Sequence, residues 1–415
     1  MVRLALSAFV SIARDLLEGR ELDGLRGAVS GRKITEIFHR RLASRVRPDI
    51  ERSRLDEVHA AIEHVGHQLQ FALRHPIRRL PMIDLSAIRD ATPAEMPVID
   101  LSRFDEESEA DLRRLGDEIV GALKYSGFFV LLGHRMLRGV IRGGFEAARE
   151  FHALAPERKR ELAMGQGFVG YLASGDYTLK TSEVNANTKA DINAAFFFDR
   201  ERMADDPEVV AGVPFRYTNK WPHELPLFRE KCLRYFYAME SLALSLLPAI
   251  ATGLGISSCY FDEAFQSPQG TVRMSHYPVA RYETNQFGIA PHTDSNFITL
   301  LPQSDVEGLY IMNAQEEWVR APKIRGAISV NSGDMLKRWS NDTMKSTRHF
   351  AANLSGESRY AIPYFMAPNT RYVMEAIPSC VPPGEKPKHP PMRYEEYRLW
   401  FMRSNYQSRV GQASG

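Results

Sequence analysis

The chain has 415 residues, 44% of them hydrophobic and 25% charged, so it is long enough for one large catalytic domain with an accessory segment. Its 53 lysines and arginines against 51 aspartates and glutamates leave a net charge of +2, which gives no electrostatic case for nucleic acid as a partner. The three cysteines, Cys232, Cys259 and Cys380, form no CxxC pair, so they disfavour cysteine-ligated zinc and indicate reduced thiols in a cytoplasmic protein.

The pattern of residues 1–78 predicts helices with arginine-rich polar faces. The apolar run at the N-terminus is soon followed by Arg14 and Asp15, so we expect an amphipathic helix there rather than a signal peptide. No segment reaches the about 20 apolar residues that a membrane helix needs, so no membrane partner is expected. Three prolines between residues 79 and 97 then interrupt the helical pattern.

Residues 1–95 are therefore predicted to form a helical N-terminal extension and linker. The extension would serve either as a cap on the catalytic domain or as an arm that forms a homodimer. His59, Glu63 and His67 share one face of a predicted helix at a spacing that allows metal binding. An exposed helix face with ordinary side-chain pairs is the more common outcome of such a pattern.

From Pro97 onward the pattern mixes helices and strands. Residues 96–255 are predicted to hold short strands, two helices and a long apolar helix over 227–255 that Pro248 kinks. Residues 256–415 alternate with a period of two over seven short segments separated by Gly, Asp, Asn and Pro, which is typical of a sandwich or barrel. A last helix is predicted in YEEYRLWFMRSNY, so the expected fold class is α+β.

The sequence GIAPHTDSNFITLL places His292 two residues before Asp294, at what we interpret as the beginning of a strand. Positions i and i+2 at a strand end lie on one side, so both side chains can reach one metal. His349 lies in a later strand, and two histidines with one carboxylate form the triad that leaves positions open on Fe(II). His-x-Asp alone is weak, since a chain with 12 histidines contains about one by chance.

Between residues 97 and 369 the chain resembles the isopenicillin N synthase-like family of Fe(II)/2-oxoglutarate-dependent dioxygenases. An ordered series of matching segments is far more specific than any one motif. The resemblance implies a double-stranded β-helix (jelly-roll) core with flanking helices, to which this chain adds its helical N-terminal segment. The matching segments are PVIDLSRF, GFFVLLGH, EFHALAPERKRELA, VRMSHYP, PHTDSNFITLL, GLYIM, VNSGDML, STRHF and RYAIPYFMAPN.

The resemblance also implies the roles of individual residues. The iron ligands fall on His292, Asp294 and His349, Arg359 would bind the distal carboxylate of the co-substrate 2-oxoglutarate, and Tyr277 would contact that co-substrate too. A buried guanidinium needs an acceptor, and a carboxylate pairs with it through two hydrogen bonds. With O2, such a centre decarboxylates 2-oxoglutarate to succinate and CO2 and attacks a C–H bond of a small organic substrate.

Three positions depart from the family pattern. Ala361 stands where the family usually has the serine of Arg-x-Ser, Ser275 stands where Asn-x-Tyr has asparagine, and Phe350 replaces an arginine that commonly follows the distal histidine. Ala361 removes one hydroxyl donor to the co-substrate, a loss on the order of 1–3 kcal/mol.

Candidate substrate-contacting residues are Tyr171 and Phe297, together with alternate members of the run at 196–198, namely Phe196 and Phe198. Phenylalanines in such a run more often belong to the core. The predicted activity is hydroxylation, desaturation or cyclisation of a small molecule, in line with specialised metabolism. The alternatives are an iron-dependent oxidative cyclase that does not use 2-oxoglutarate, favoured by Ala361, and a non-catalytic binding or assembly protein.

Overall fold

A computed structural model of the chain describes residues 83, 85–105, 107–136, 138–165, 168–175, 189–283 and 286–406, with side chains as far as Phe401. All of them belong to one compact unit that begins at Arg79. The predicted helical extension, with His59, Glu63 and His67, lies outside the described residues.

Fifteen strands form three sheets in the part of the chain that the structure describes. The large sheet has nine strands in the order β1-β2-β10-β7-β13-β5-β4-β3, with β12 also paired to β5; the small sheet has the order β6-β11-β8-β9, and β14 pairs with β15. The strands are β1 Val98–Asp100, β2 Phe128–Leu132, β3 Gly170–Leu172, β4 Ala194–Asp199, β5 Gln269–Tyr277, β6 Ile289–His292, β7 Ile298–Pro302, β8 Leu309–Met312, β9 Trp318–Arg320, β10 Ile328–Ser332, β11 His349–Ala351, β12 Arg359–Ala361, β13 Tyr364–Ala367, β14 Val373–Met374 and β15 Met392–Arg393.

Eight α-helices accompany these sheets among the described residues, and they include the first helix predicted after Pro97 and the predicted last helix. The first begins after Ser108, whose hydroxyl accepts from the Asp111 amide, and ends before Gly127 at φ 74°. The helices are α1 Glu109–Tyr125, α2 Arg138–His152, α3 Pro156–Glu161, α4 Pro207–Val210, α5 Phe228–Ser245, α6 Leu247–Gly253, α7 Asp334–Trp339 and α8 Tyr394–Tyr406.

The predicted long apolar helix forms as α5 and α6, which meet at Leu246 just before Pro248, as the proline predicts. By length and composition the span Phe228–Gly253 would suffice to cross a membrane. In the structure, however, Cys232, Tyr235 and Phe236 are wholly buried in the core cluster beside residues of the large sheet. The span is therefore a core helix pair, and its apolar surface is used for packing.

The two main sheets pack face to face. On the large sheet Phe128 and Val130 contact Ile311 and Val319 of the small sheet, and Tyr277 contributes to a second such cluster. The opposite face of the large sheet packs on the helices. This arrangement of mixed helices and facing sheets is consistent with a jelly-roll core. Because β1–β4 and β5 share one sheet, the predicted regions 96–255 and 256–415 share one core.

Residues 83 and 85–95, predicted to be part of a linker, pack on the small sheet. Ile83, Leu85 and Ile88 cover its outer face beside Phe350, and Asp90 forms a parallel bridge with Arg320 at its edge. Phe350, which departs from the family pattern, is wholly buried there and stacks on Tyr310 with ring centroids 4.6 Å apart. The segment thus covers an edge that would otherwise offer unpaired backbone groups.

Candidate metal centre and co-substrate site

Two neighbouring strands of the small sheet bring the two predicted histidine ligands together. His292 ends β6 and His349 begins β11, and they are direct antiparallel partners with ring centroids 4.3 Å apart. Asp294 lies in the loop after β6, so the motif ends a strand and does not begin one as we expected. Its Oδ1 lies 3.8 Å from Nε2 of His292 and 3.7 Å from Nε2 of His349.

The backbone fixes which nitrogen each imidazole presents to this point. Nδ1 of His292 lies 2.8 Å from the Ala290 carbonyl oxygen, and Nδ1 of His349 lies 3.1 Å from that of Thr347. A carbonyl oxygen only accepts, so both Nδ1 atoms carry a proton, and Nε2 is the nitrogen that each ring directs toward Asp294. Such carbonyl partners of the second nitrogen are typical of histidines that bind metals.

The Asp294 carboxylate is oriented by two donors on the inner face of the large sheet. Thr299 Oγ1 donates to its Oδ2 at 2.6 Å and Asn331 Nδ2 donates to the same oxygen at 2.8 Å, so Oδ1 is left facing the histidines. Burial opposes ionisation, but the two histidines and these two donors together hold the pKa of Asp294 below its usual value. The carboxylate is therefore ionised when the protein is folded.

Burial lowers the pKa of His292 to about 3, with a further contribution from His349 and an opposing one from Asp294. A neutral imidazole is the form that binds a metal. Among the described residues this is the one group of three His, Cys, Asp or Glu side chains whose ligand atoms lie within 4.8 Å of one another. Two neutral imidazoles and one carboxylate fit Fe(II) and leave positions open for co-substrates.

Asp334 also holds the segment that carries Asp294, a contact that the sequence did not reveal. Its backbone amide donates to the Asp294 carbonyl oxygen at 2.7 Å, and its carboxylate accepts from the Thr293 hydroxyl at 3.2 Å. Tyr397 of α8 donates to the same carboxylate oxygen at 2.8 Å. Asp334 lies two residues after Ser332, where β10 ends.

Arg359 lies on β12 directly opposite Tyr277 of β5, and its guanidinium carbon is 4.8 Å from the tyrosine ring centroid. The arginine is 4% exposed, and its Nε and Nη1 have no hydrogen-bond partner among the described residues. An unsatisfied buried guanidinium is costly, so the position calls for an anionic acceptor from outside the chain. A carboxylate such as that of 2-oxoglutarate fits this requirement.

Glycine at position 308 gives the Arg359 side chain its room. A Cβ built on Gly308 would lie 3.0 Å from Cδ and Nε of Arg359 and 2.3 Å from the Ala352 carbonyl oxygen. The residue also has φ 148°, a conformation that other residues rarely adopt. A side chain at 308 would therefore displace the guanidinium.

The predicted substrate role of Phe196, Phe198, Phe297 and Tyr171 needs correction, because the structure places all four on the helix side of the large sheet. The three phenylalanines are wholly buried in the core cluster, and Tyr171 packs beside Phe151 with ring centroids 5.8 Å apart. The alternation of side chains along β3 and β4 sends Tyr171, Phe196 and Phe198 away from the candidate metal ligands, whereas Phe297 precedes β7 and packs in the core cluster.

The same alternation places Phe197 on the inner face, where it is paired with Arg273 of β5. The Arg273 guanidinium lies over the Phe197 ring at 5.3 Å, and its Nη2 donates to Asn193 at 2.8 Å. The charge of Arg273 contributes to the lowered pKa of His292, so this pair lies within electrostatic reach of the candidate metal centre. The alternation of side chains along β4 was the sequence signal that could have identified Phe197 as an inward-facing residue.

Comparison with known proteins agrees with this geometry. A family model for the N-terminal region of non-haem dioxygenases in morphine synthesis matches residues 96–224, and the model of the 2OG-Fe(II) oxygenase superfamily matches residues 268–368. The 2-oxoglutarate-Fe(II) type oxidoreductase hxnY of Emericella nidulans is 31% identical over 77% of this chain and 92% of its own length. The chain belongs to the 2OG-Fe(II) oxygenase superfamily.

Two further relatives of this superfamily member support its activity. The 2-oxoglutarate-dependent dioxygenase citB of Monascus ruber is 31% identical over 68% of this chain and 87% of that one. The crystal structure of a full-length Neurospora crassa protein with α-ketoglutarate and thymine matches with a TM-score of 0.66 and 27% identity, over 74% of this chain and 96% of that one. The protein is an Fe(II)/2-oxoglutarate-dependent dioxygenase that uses O2, as the resemblance predicted, and the non-catalytic alternative is disfavoured.

Proposed function

We propose that His292, Asp294 and His349 hold the iron of this dioxygenase, and that Arg359 and Tyr277 bind 2-oxoglutarate, within a double-stranded β-helix. The observation that carries the proposal is the set of three ligand atoms within 4.8 Å, with both Nδ1 protons bound to carbonyls. The buried Arg359 with two unsatisfied nitrogens supports the co-substrate position.

With Fe(II), 2-oxoglutarate and O2 bound, such a centre supplies oxidative decarboxylation coupled to attack on a substrate C–H bond. The residues of this chain position the components for that chemistry. The carbonyls of Ala290 and Thr347 fix the two imidazoles, and Arg359 holds the distal carboxylate through parallel hydrogen bonds. Phe128, with its ring centroid 5.5 Å from that of His349, helps to exclude water.

For the substrate we propose a small organic molecule bound at the inner face near Phe197 and Arg273, and oxidised by hydroxylation, desaturation or cyclisation. Support comes from the position of this pair within electrostatic reach of His292. The thymine in the Neurospora crassa complex shows that a small molecule is accommodated in a structure of the same superfamily. The matching N-terminal family model is described for dioxygenases in morphine synthesis, which supports a role in specialised metabolism.

The test is to measure succinate formed from 2-oxoglutarate by the purified Fe(II) protein, with and without candidate substrates. Arg359→Gln should raise the KM for 2-oxoglutarate at least tenfold, because hydrogen bonds to a charged group contribute about 1.5–3 kcal/mol each. Lys323→Gln is the matched control, since Lys323 lines one cavity with Gly308 and Arg359 but its ammonium group donates to the Asp305 carbonyl. Substrate oxidation without succinate would instead establish the cyclase that does not use 2-oxoglutarate.

For the cell and the assembly we propose a cytoplasmic protein that forms a homodimer through its helical N-terminal segment, residues 1–78. The supports are the cysteine pattern and the amphipathic pattern of the N-terminal sequence. Truncation at residue 79, where the compact unit begins, should convert a dimer to a monomer in size-exclusion chromatography with light scattering. Elution of the full-length chain as a monomer would contradict the proposal that the N-terminal segment forms a dimer.

A further inference from the structure

Four residues of the β5–β12 strand pair form one patch on the inner face of the large sheet. Arg359 lies opposite Tyr277 and Ala361 lies opposite Ser275, so both pairs point to the same side. Directly opposite side chains have Cβ atoms about 4.5–5.5 Å apart, and diagonal neighbours remain within reach of a long side chain. A ligand held by the Arg359 guanidinium therefore also comes near positions 275 and 361.

Ser275 brings a hydroxyl to this patch that the protein itself does not use. The residue is 1% exposed, and its Oγ has no hydrogen-bond partner among the described residues. The neighbouring Nε and Nη1 of Arg359 are also buried and without a partner there. Buried polar groups are normally satisfied, so adjacent unsatisfied donors indicate an acceptor that comes from outside the chain.

Position 361 cannot satisfy that acceptor, because alanine has no donor. Its small side chain, 3% exposed, leaves space directly across from Ser275. The hydroxyl at 275 and the methyl at 361 thus occupy the two ends of one cross-strand pair. A hydroxyl on either member would reach nearly the same volume.

We propose that Ser275 donates a hydrogen bond to a carboxylate of the 2-oxoglutarate that Arg359 anchors, in place of the hydroxyl that position 361 lacks. This inference rests on the proposed co-substrate site. It explains how the chain keeps a 2-oxoglutarate site despite Ala361. The hydroxyl donor is supplied by β5, at Ser275, and not by β12, at position 361.

The test is calorimetric titration of 2-oxoglutarate into the full-length protein loaded with Mn(II), without O2, so that no turnover occurs. Ser275→Ala should raise the Kd on the order of tenfold, the effect of one hydrogen bond to a charged group. The exchange Ser275→Ala with Ala361→Ser should recover most of the affinity. Ser332→Ala, which removes another buried hydroxyl whose acceptors are the Gly127 and Lys345 carbonyls, should leave the Kd unchanged.

Thermal unfolding separates a loss of binding from a loss of fold. Without 2-oxoglutarate, Ser275→Ala should melt at or above the wild-type temperature, because it removes an unsatisfied buried hydroxyl. The upward shift caused by 2-oxoglutarate should shrink. A wild-type Kd for Ser275→Ala, or an exchange variant as weak as the single one, would overturn the inference. Failure of the wild type to bind 2-oxoglutarate would instead overturn the proposed co-substrate.

Discussion

The two faces of the large sheet have opposite compositions although they are made from the same strands. In β5, the side chains that point to the helices are apolar apart from one histidine, whereas those on the inner face are polar or charged apart from an aromatic ring. The alternation along each strand therefore separates side chains that pack in the core from side chains that face the candidate metal centre. The helix-facing residues are Val272, Met274 and His276, and the inner ones are Thr271, Arg273, Ser275 and Tyr277.

Loss of a metal ligand should give the largest effect on the inner side. His292→Ala removes one of the three proposed ligand atoms, so Fe(II) or Mn(II) affinity should fall more than about a hundredfold and coupled succinate formation should stop. Metal binding can be followed by calorimetry and turnover by succinate. Coupled turnover that persists in this variant would show that the metal is elsewhere.

Phe197 and Phe198 are identical side chains at adjacent positions of β4, so they point to opposite faces of the large sheet. Alanine substitutions there compare the roles of the two faces. Phe198→Ala opens a cavity among wholly buried rings, so the free energy of unfolding should fall by about 3–5 kcal/mol with little change in the Kd for 2-oxoglutarate. Phe197→Ala should cost less stability and should weaken substrate binding. Urea denaturation and substrate KM measure the two effects. Equal losses of stability in both variants, with an unchanged substrate KM, would contradict the assignment of Phe197 to the substrate side and Phe198 to the core.

His152 on the helix side should make folding sensitive to acid. Burial lowers its pKa to about 3, and its Nε2 donates to the Met274 carbonyl at 3.0 Å. The unfolded chain binds a proton near pH 6.5 and the folded one does not, so stability is complete above that pH and falls below it. Between pH 7 and 5 this histidine should cost about 2 kcal/mol.

The variant His152→Gln keeps a donor for the Met274 carbonyl but cannot titrate. Urea unfolding at pH 7 and pH 5 should therefore show a smaller loss of stability in the variant than in the wild type, by about the same 2 kcal/mol. A difference that does not change with pH would mean that His152 is protonated in the folded protein.

Tyr397 should have a smaller effect, on metal affinity. Tyr397→Phe removes the donor that holds Asp334 against Thr293, and such outer contacts typically contribute at least tenfold to metal binding. We expect a tenfold weaker Mn(II) Kd by calorimetry. Tyr394→Phe, which removes another buried hydroxyl from the same helix, should leave metal binding unchanged. Equal effects of both variants would indicate general loosening of α8.

Much of the fold followed from local pattern. The long periodic segments predicted α1, α5 and α8, and Pro248 marked the break between α5 and α6. Strand β6 was missed because its four residues, IAPH, are few and contain proline. The packing of residues 83 and 85–95 on the small sheet was not apparent from the sequence, because their prolines resemble those of a linker and tertiary contacts decide the outcome.

The candidate site residues that belong to ordered sequence motifs were predictable. Those that reach the site through contacts between distant segments were not. The arginine and tyrosine of the proposed co-substrate site follow from motif order, and Arg359 does lie opposite Tyr277. A run of three phenylalanines does not show which of them face the core. Phe196 and Phe198 were therefore assigned to the substrate side of the strand, although they face the helices and Phe197 faces inward. The contact of Tyr397 with Asp334, 63 residues apart, depends on how α8 folds back.

The most direct test of the account is the crystal structure of the protein with Mn(II) and 2-oxoglutarate, grown without O2. We predict one metal bound by Nε2 of His292, Nε2 of His349 and Oδ1 of Asp294, with the distal carboxylate on Arg359. A metal bound by other residues, or 2-oxoglutarate whose distal carboxylate lies away from Arg359, would contradict it.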